Sequence, residues 1–500
     1  MNCREGMLAA IGVILLAAGA QLIRMSHGPA RDVVLDDACR SPVRVLEPPT
    51  GRAVGSAVVF HGLSANRRLM LTLGQSLAAA GLRVYLVDSP GHGDSTEPFS
   101  LGRTEQCAAA VLESLARRGE IALDRTVVVG HSMGAAVAAH LADRLPVAAT
   151  IALSPAPINL PRRMPANLLI VYAQFDPQRV KDAAAKLLHA AGGERSGPED
   201  FRQRRAVRLE FAPWTSHVGV VFNPRVERAA GAWARRALEE KSAEGASARE
   251  YPFVGGALGV VGLLLLFPLA ASIATAMWRA GATESPPPRI RTGRLLCLWV
   301  IGSLFSVGAL NFWVPLRALR MYNGDYLGAF NLLAGAVLLA MLWREKKAAL
   351  RFDFRATAAA CVFGLAATLA IGAWLNWQLT DGWMNLARWE RFVPLVLASL
   401  PYFVAEEWAL GPPAAGRRGR RFARFLALRI ILWLALIFAL FAFGSQQILM
   451  LLLGVFLLAI SLVQRWGADV IRQRTGSSAA GALVGAILAG WFIAAIFPLT

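Results

Sequence analysis

Two hydrophobic patterns divide the chain. Between about residues 30 and 250, short apolar runs alternate with charged and glycine-bearing segments, whereas from residue 253 onward the apolar stretches are about 17 to 25 residues long. A helix rises about 1.5 Å per residue, so stretches of the second kind can cross a hydrocarbon core about 30 Å thick. Eight spans are expected, near 253–277, 295–313, 326–343, 357–378, 392–410, 425–444, 446–463 and 478–497. A further apolar run, Met7 to Ile23, follows a short basic start and contains Ala18-Gly-Ala20, which looks like a signal-peptidase site. It is either a cleaved signal or one more span, and the anchor is the preferred reading.

Within the soluble region the short runs predict strands at 56–60, 82–87, 126–129, 148–153, 168–173 and 207–211, with 42–46 as a further edge strand. Helix-length segments fall near 66–80, 104–118, 133–144, 179–191 and 223–240. Strands alternating with helices imply a mostly parallel sheet covered on both faces. The expected organisation is therefore an anchor or signal over 1–24, an α/β domain over 30–245 and an all-α polytopic domain over 251–500.

The formal net charge of +19 would suggest a nucleic-acid partner in a soluble protein. Here many of the arginines fall in connections between spans. The basic connections are 278–294, 344–355, 411–424 and 464–474, which are every second one, and such connections mark the cytoplasmic side. The lipid bilayer is then the partner and nucleic acid is not. The chain is expected to be multi-pass in the cell (inner) membrane, with the α/β domain and the C-terminus on the outer, periplasmic side. Trp374, Trp377, Trp383 and Trp389 flank an outer connection as an interfacial belt would. Of the five cysteines, Cys39 and Cys107 lie in the exported domain. They are either one disulfide or two unrelated thiols; unrelated thiols are the preferred reading, because a domain this size can bury its own core.

Candidate chemistry sits where the predicted strands end, the place where open parallel sheets bind ligands. Gly130-His-Ser-Met-Gly134 follows the run Thr126 to Val129 and precedes an Ala-rich helix, the context of a sharp strand-to-helix turn that exposes a serine hydroxyl. Glycines flank such a turn because side chains there would strike the neighbouring strand and helix. His61-Gly62-Leu63 ends the first central strand, and the small Gly62 lets the Leu63 N–H point beside the Met133 N–H toward a developing oxyanion. Asp176 and His217 follow the next strands in turn.

His61-Gly-Leu-Ser-Ala-Asn-Arg67, Asp88-Ser-Pro-Gly-His-Gly-Asp-Ser95, Gly130-His-Ser-Met-Gly134, Phe175-Asp-Pro177 and Ser216-His-Val218 together resemble the α/β-hydrolase superfamily, in its serine aminopeptidase and monoacylglycerol-lipase branches. The resemblance covers about residues 45 to 240 and does not reach the membrane half. It implies Ser132 as nucleophile, His217 as general base and acid, Asp176 as the group orienting the imidazole, and an acyl-enzyme intermediate. Leu63 and Met133 would form the oxyanion hole, with His61, Gly62 and His131 along the substrate-binding floor. Asp88 and Asp94 read as turn residues of the glycine-rich loop. Only about a dozen residues, Pro155 to Asn167, separate two strands where many relatives insert a cap, so no large cap is expected.

No cofactor and no metal are expected. Glu406-Glu407 invites comparison with intramembrane metalloproteases, but all seven histidines lie at or before His217. A pairing of these glutamates with Arg429 is the alternative. Two functional readings remain: a membrane-anchored serine hydrolase (esterase, lipase or peptidase) acting on a small-molecule or lipid-like acyl substrate, and a non-catalytic multispan transporter, sensor or scaffold with a ligand-binding hydrolase-like domain.

Overall fold

The computed structural model describes residues 3–26, 29–141, 143–157, 159–192, 200–239, 251–280, 290–312, 317–346, 353–378, 382–413, 418–443 and 454–500. They form two compact units. One comprises Met1–Ala18, Leu258–Trp374 and Gly382–Phe497; the other comprises Gly19–Ala257, Leu375–Asp381 and Pro498–Thr500.

The second unit is built on eight strands: β1 Ala30–Val34, β2 Pro42–Leu46, β3 Gly55–Phe60, β4 Leu82–Val87, β5 Thr126–His131, β6 Ala149–Leu153, β7 Leu168–Ala173 and β8 Val207–Ala212. Their order is β1-β2-β4-β3-β5-β6-β7-β8. The β1–β2 and β2–β4 pairs are antiparallel, and the remaining pairs are parallel. The sheet therefore carries one strand more than expected, and residues 42–46 lie one place in from the edge. β1 escapes a pattern reading because Ala30-Arg-Asp-Val-Val34 is mostly exposed and has no apolar alternation.

Central strands read as nearly continuous apolar runs because both of their faces are covered. Ala57, Val59 and Leu86 pack on one face with Leu73 and Leu77 of the helix Leu71–Ala79 and Trp233 of the helix Pro224–Ala237. Val58, Phe60 and Tyr85, one residue out of phase, pack on the other face with Leu112 of the helix Leu101–Arg117 and Val137 of the helix Met133–Leu141. Each fully buried side chain of this size contributes about 1.5–3 kcal/mol. Inside this core the Trp233 indole N–H donates to the Asn167 carbonyl at 2.6 Å.

Cys39 and Cys107 form a disulfide with their Cα atoms 5.7 Å apart, which corrects the preference for unrelated thiols. They stand 68 residues apart, so only the packing of the β1–β2 connection against the helix Leu101–Arg117 brings them together. The chain's last residues also belong to this unit: the Phe99 N–H donates to the Leu499 carbonyl at 2.7 Å, and the Leu499 N–H donates to the Gly91 carbonyl at 3.0 Å.

The other unit is helical. Among the described residues of the whole chain, eight helices are long and apolar enough to cross a membrane: Cys3–Met25, Phe253–Met277, Thr292–Phe312, Gly324–Trp343, Phe354–Trp377, Leu386–Leu410, Gly419–Phe443 and Ser478–Ile496. Seven of the eight spans expected after residue 251 are among them. The expected span at 446–463 is not; its first residues lie outside those described, and from Gly454 a helix runs on to Thr475 through Gln464, Arg465, Asp469, Arg472 and Arg474. The connection expected at 464–474 is therefore helical. Arg465 and Arg472 are buried in it rather than free in water, so they cannot count as cytoplasmic loop charges.

Arg429 pairs with Glu406 at 2.9 Å, as the sequence suggested. The helices Leu386–Leu410 and Ser478–Ile496 approach closely enough that a methyl group at Gly485 would sit 2.3 Å from Phe403 Cδ1. Small residues permit such contacts in an apolar solvent, where dispersion rather than water exclusion holds helices together.

Candidate active site

Ser132 stands between β5 and the helix Met133–Leu141 with φ +52°, a left-handed conformation that a side chain seldom adopts. Backbone crowding explains the two glycines. A Cβ at Gly130 would lie 2.0 Å from the Gly134 carbonyl oxygen, and one at Gly134 would lie 2.3 Å from the Phe60 carbonyl oxygen. The turn is held from beside it, because the Ser132 N–H donates to Leu153 O of β6 at 2.9 Å.

The three residues singled out from widely separated segments meet here. His217 Nε2 lies 2.9 Å from Ser132 Oγ, and His217 Nδ1 lies 2.6 Å from Asp176 Oδ1. All three are buried, with exposures of 9%, 5% and 5% for Ser132, Asp176 and His217. The second carboxylate oxygen of Asp176 accepts from the Ser154 hydroxyl at 2.8 Å and from the Ala173 N–H at 2.6 Å. Burial works to raise the Asp176 pKa, but the His217 hydrogen bond and charge, the Ala173 N–H and the Ser154 hydroxyl outweigh it and hold the carboxyl below its ordinary value. A hydroxyl bonded to an imidazole, itself fixed by a carboxylate, can pass its proton to that imidazole as it attacks an electrophile.

Ser154 had no sequence signal. It is an ordinary serine at the end of β6, with φ +44°, and only the packing of β6 beside β7 carries it to Asp176.

Among the described residues, neither the Leu63 N–H nor the Met133 N–H donates a hydrogen bond within the protein. Gly62 keeps their loop against the serine, since a Cβ there would lie 2.8 Å from His131 Nδ1 and 3.1 Å from Ser132 Cβ. His131 donates from Nε2 to the His217 carbonyl at 2.9 Å, while among the described residues its buried Nδ1 has no hydrogen-bond partner. Burial first, and then the neighbouring His217, push the His131 imidazole down to about 3, so the ring is neutral.

His61 is held structurally within its loop. It is fully buried; its Nε2 accepts from the Ser89 N–H at 3.0 Å and its Nδ1 faces the Gly62 carbonyl at 2.8 Å. With both ring nitrogens committed, it pins the Leu63 loop to the glycine-rich loop. His92 does the same through the Ser64 N–H and the Pro90 carbonyl. Asp88 is more than a turn residue, because it is buried in an ion pair with Arg67, which also reaches Asp94 at 2.6 Å. The stretch between β6 and β7 inserts no helix among its described residues. Its backbone is tied down by Asp143, which accepts from the N–H groups of Arg162 and Arg163.

Residues 58–199 match the family model of the alpha/beta hydrolase fold. The Gly19–Ala257 unit has this fold, and a region of many apolar helices follows it. Similar solved structures include TT1662 from Thermus thermophilus (18% identity, 43% of this chain and 99% of that one, TM-score 0.33). XC6422 from Xanthomonas campestris, described as a serine hydrolase without lid, is 18% identical over 42% of this chain and 94% of its own, with a TM-score of 0.33. The Pyrococcus furiosus esterase Pf2001 is 17% identical over 43% and 94%, with a TM-score of 0.34. No curated protein matches the sequence.

Proposed function

We propose that this protein is a membrane-anchored serine hydrolase that cleaves an ester or amide bond through an acyl-enzyme. The observation that carries the reading is the continuous hydrogen-bonded chain from Ser132 Oγ through both nitrogens of His217 to Asp176, at 2.9 and 2.6 Å. The match of residues 58–199 to the α/β-hydrolase fold supports hydrolysis as the reaction type.

In the proposed cycle Ser132 Oγ attacks the acyl carbon while His217 Nε2 takes its proton. The oxyanion is met by the Leu63 and Met133 N–H groups, which bond no other group among the described residues. Collapse breaks the bond to the leaving alcohol or amine, which receives the proton from His217. A water deprotonated by His217 then attacks the acyl-Ser132, releasing the carboxylic acid and restoring the hydroxyl. The neutral His131 and the oriented Asp176 keep His217 in place throughout.

The uncapped stretch between β6 and β7 and the company of eight apolar helices favour a lipid-like or membrane-associated acyl substrate. The Cys39–Cys107 disulfide and the apolar helix Cys3–Ser26 support placement of the hydrolase domain outside the cytoplasm, where thiols oxidise.

The test is labelling of intact spheroplasts with a membrane-impermeant fluorophosphonate, comparing wild type with Ser132→Ala. Labelling of wild type alone is expected. Label that appears only after the membrane is opened would reverse the orientation, and none in either condition would favour the non-catalytic reading.

A further inference from the structure

Among the described residues, four arginines and three carboxylates are gathered inside the helical unit, and none takes part in the chemistry proposed for Ser132. Three helices supply them. Glu406 and Glu407 end the helix Leu386–Leu410; Arg421 and Arg429 lie two turns apart on the helix Arg418–Phe443; Arg465, Asp469 and Arg472 follow at helical spacing on Gly454–Thr475. Glu407 faces Arg421, Arg465 and Arg472, Glu406 faces Arg429, and Asp469 bonds Arg421 and Arg465.

Among the described residues, charge in this cluster does not balance, since four guanidinium groups face three carboxylates. A buried cation without a counter-charge is costly, and so is a buried N–H without an acceptor. Both defects coincide here. Arg421 and Arg465 are only 7% and 5% exposed, and among the described residues Arg421 Nη2, Arg465 Nε and Arg465 Nη1 have no hydrogen-bond acceptor. Their nearest remaining carboxylates are beyond hydrogen-bond length, with Arg421 Nη2 3.6 Å from Glu407 and Arg465 Nη1 3.8 Å from Glu406.

The same two arginines line a cavity of about 190 Å³ with Asp469, Gln473, Phe422 and Trp466. Phe422 and Trp466 are 47% and 39% exposed, so the wall beside the arginines is apolar and open. Guanidinium forks suit the paired oxygens of a phosphate, and an adjoining aromatic wall suits the glycerol and acyl ends of a lipid. We propose that this cavity is a binding site for a phosphate-bearing anion, a phospholipid head group or a free phosphate, held by Arg421 and Arg465.

The full-length protein, purified in detergent and delipidated, would be titrated with phosphatidylglycerol, phosphatidylcholine and inorganic phosphate, with binding read by thermal shift and native mass spectrometry. Phosphatidylglycerol binding roughly tenfold tighter than phosphatidylcholine is expected if the source is a lipid. Saturable binding of inorganic phosphate alone would support the site with a free anion as its source. Arg421→Gln should weaken the anion roughly tenfold. Because that variant also disturbs the ion-pair cluster, Asp469→Asn provides an independent sign: it removes the carboxylate that competes for both arginines and should tighten binding several-fold. Indifference of the protein to head-group charge and phosphate, or weaker anion binding by Asp469→Asn, would overturn the proposal.

Discussion

His131 donates from Nε2 to the backbone carbonyl of His217 at 2.9 Å, so the residue beside the serine hydroxyl holds the strand-end loop that carries His217. The two rings lie 5.0 Å apart. Removing the donor strands a buried carbonyl, a loss of about 1–3 kcal/mol, and frees the backbone that aims His217 at Ser132. His131→Ala should slow acylation by p-nitrophenyl butyrate by about tenfold, and His131→Gln, which keeps an N–H donor, should recover part of it. Single-turnover kinetics decide the matter, and an alanine variant that acylates at the wild-type rate would sink the positioning role.

The buried imidazoles also set an acid limit. His131 is pushed down to about 3 by burial and then by His217, and burial likewise lowers His61. Below the ordinary histidine value of 6.5 the unfolded chain therefore takes up protons that the native domain refuses, and stability falls as the pH drops from 6.5 toward about 3. Asp176 acts in the same direction lower down: with its native pKa depressed, its contribution is complete above 3.8 and lost as the pH falls through the native value. Denaturant midpoints measured across this range should decline, and His131→Gln should flatten the part between 6.5 and about 3. Parallel curves for the two proteins would contradict the account.

Asp176 binds His217 with one oxygen and spends the other on Ser154 and Ala173. On the proposed mechanism Asp176→Asn favours the wrong imidazole tautomer and should lower kcat by about 10⁴-fold. Ser154→Ala removes one neutral hydrogen-bond donor and should cost about tenfold or less. Equal losses in the two variants, with both proteins folded, would show that the carboxylate is not the orienting group.

Alanine at Gly130 or Gly134 would place a Cβ 2.0 or 2.3 Å from backbone oxygen, which no rotamer change can relieve. Each substitution should destabilise the domain by more than about 3 kcal/mol, beyond the usual range for a single change. Thermal denaturation measures this directly; a shift of a degree or less would mean that the turn is looser than described.

Breaking the Cys39–Cys107 link opens a loop of 68 residues. Loop-closure entropy gives a loss of about 4 kcal/mol, so Cys39→Ser with Cys107→Ser, or reduction of the wild type, should lower the melting temperature markedly. In cells, alkylation before and after reduction should reveal two protected thiols. Free, reactive Cys39 and Cys107 would place the domain in a reducing compartment.

Much of the site was legible because its signals are local. Gly130-His-Ser-Met-Gly134 carries its own steric reason, and β4 and β7 match their predicted runs to the residue, since a strand buried on both faces is mostly apolar. The α/β layering and seven of the spans followed from the length and period of hydrophobic runs, which any short window contains. Tertiary structure alone decided the rest. Ser154 reaches Asp176, and Cys39 reaches Cys107, only through strand order and helix packing. His61 pins two loops together because Ser89 lies across from it. Arg465 and Arg472 looked like loop charges but are buried against Glu407, because ion pairing offsets their desolvation where the helices meet. Runs of neighbouring residues encode elements, whereas the partner of a single polar side chain is fixed by whichever distant segment the fold brings beside it.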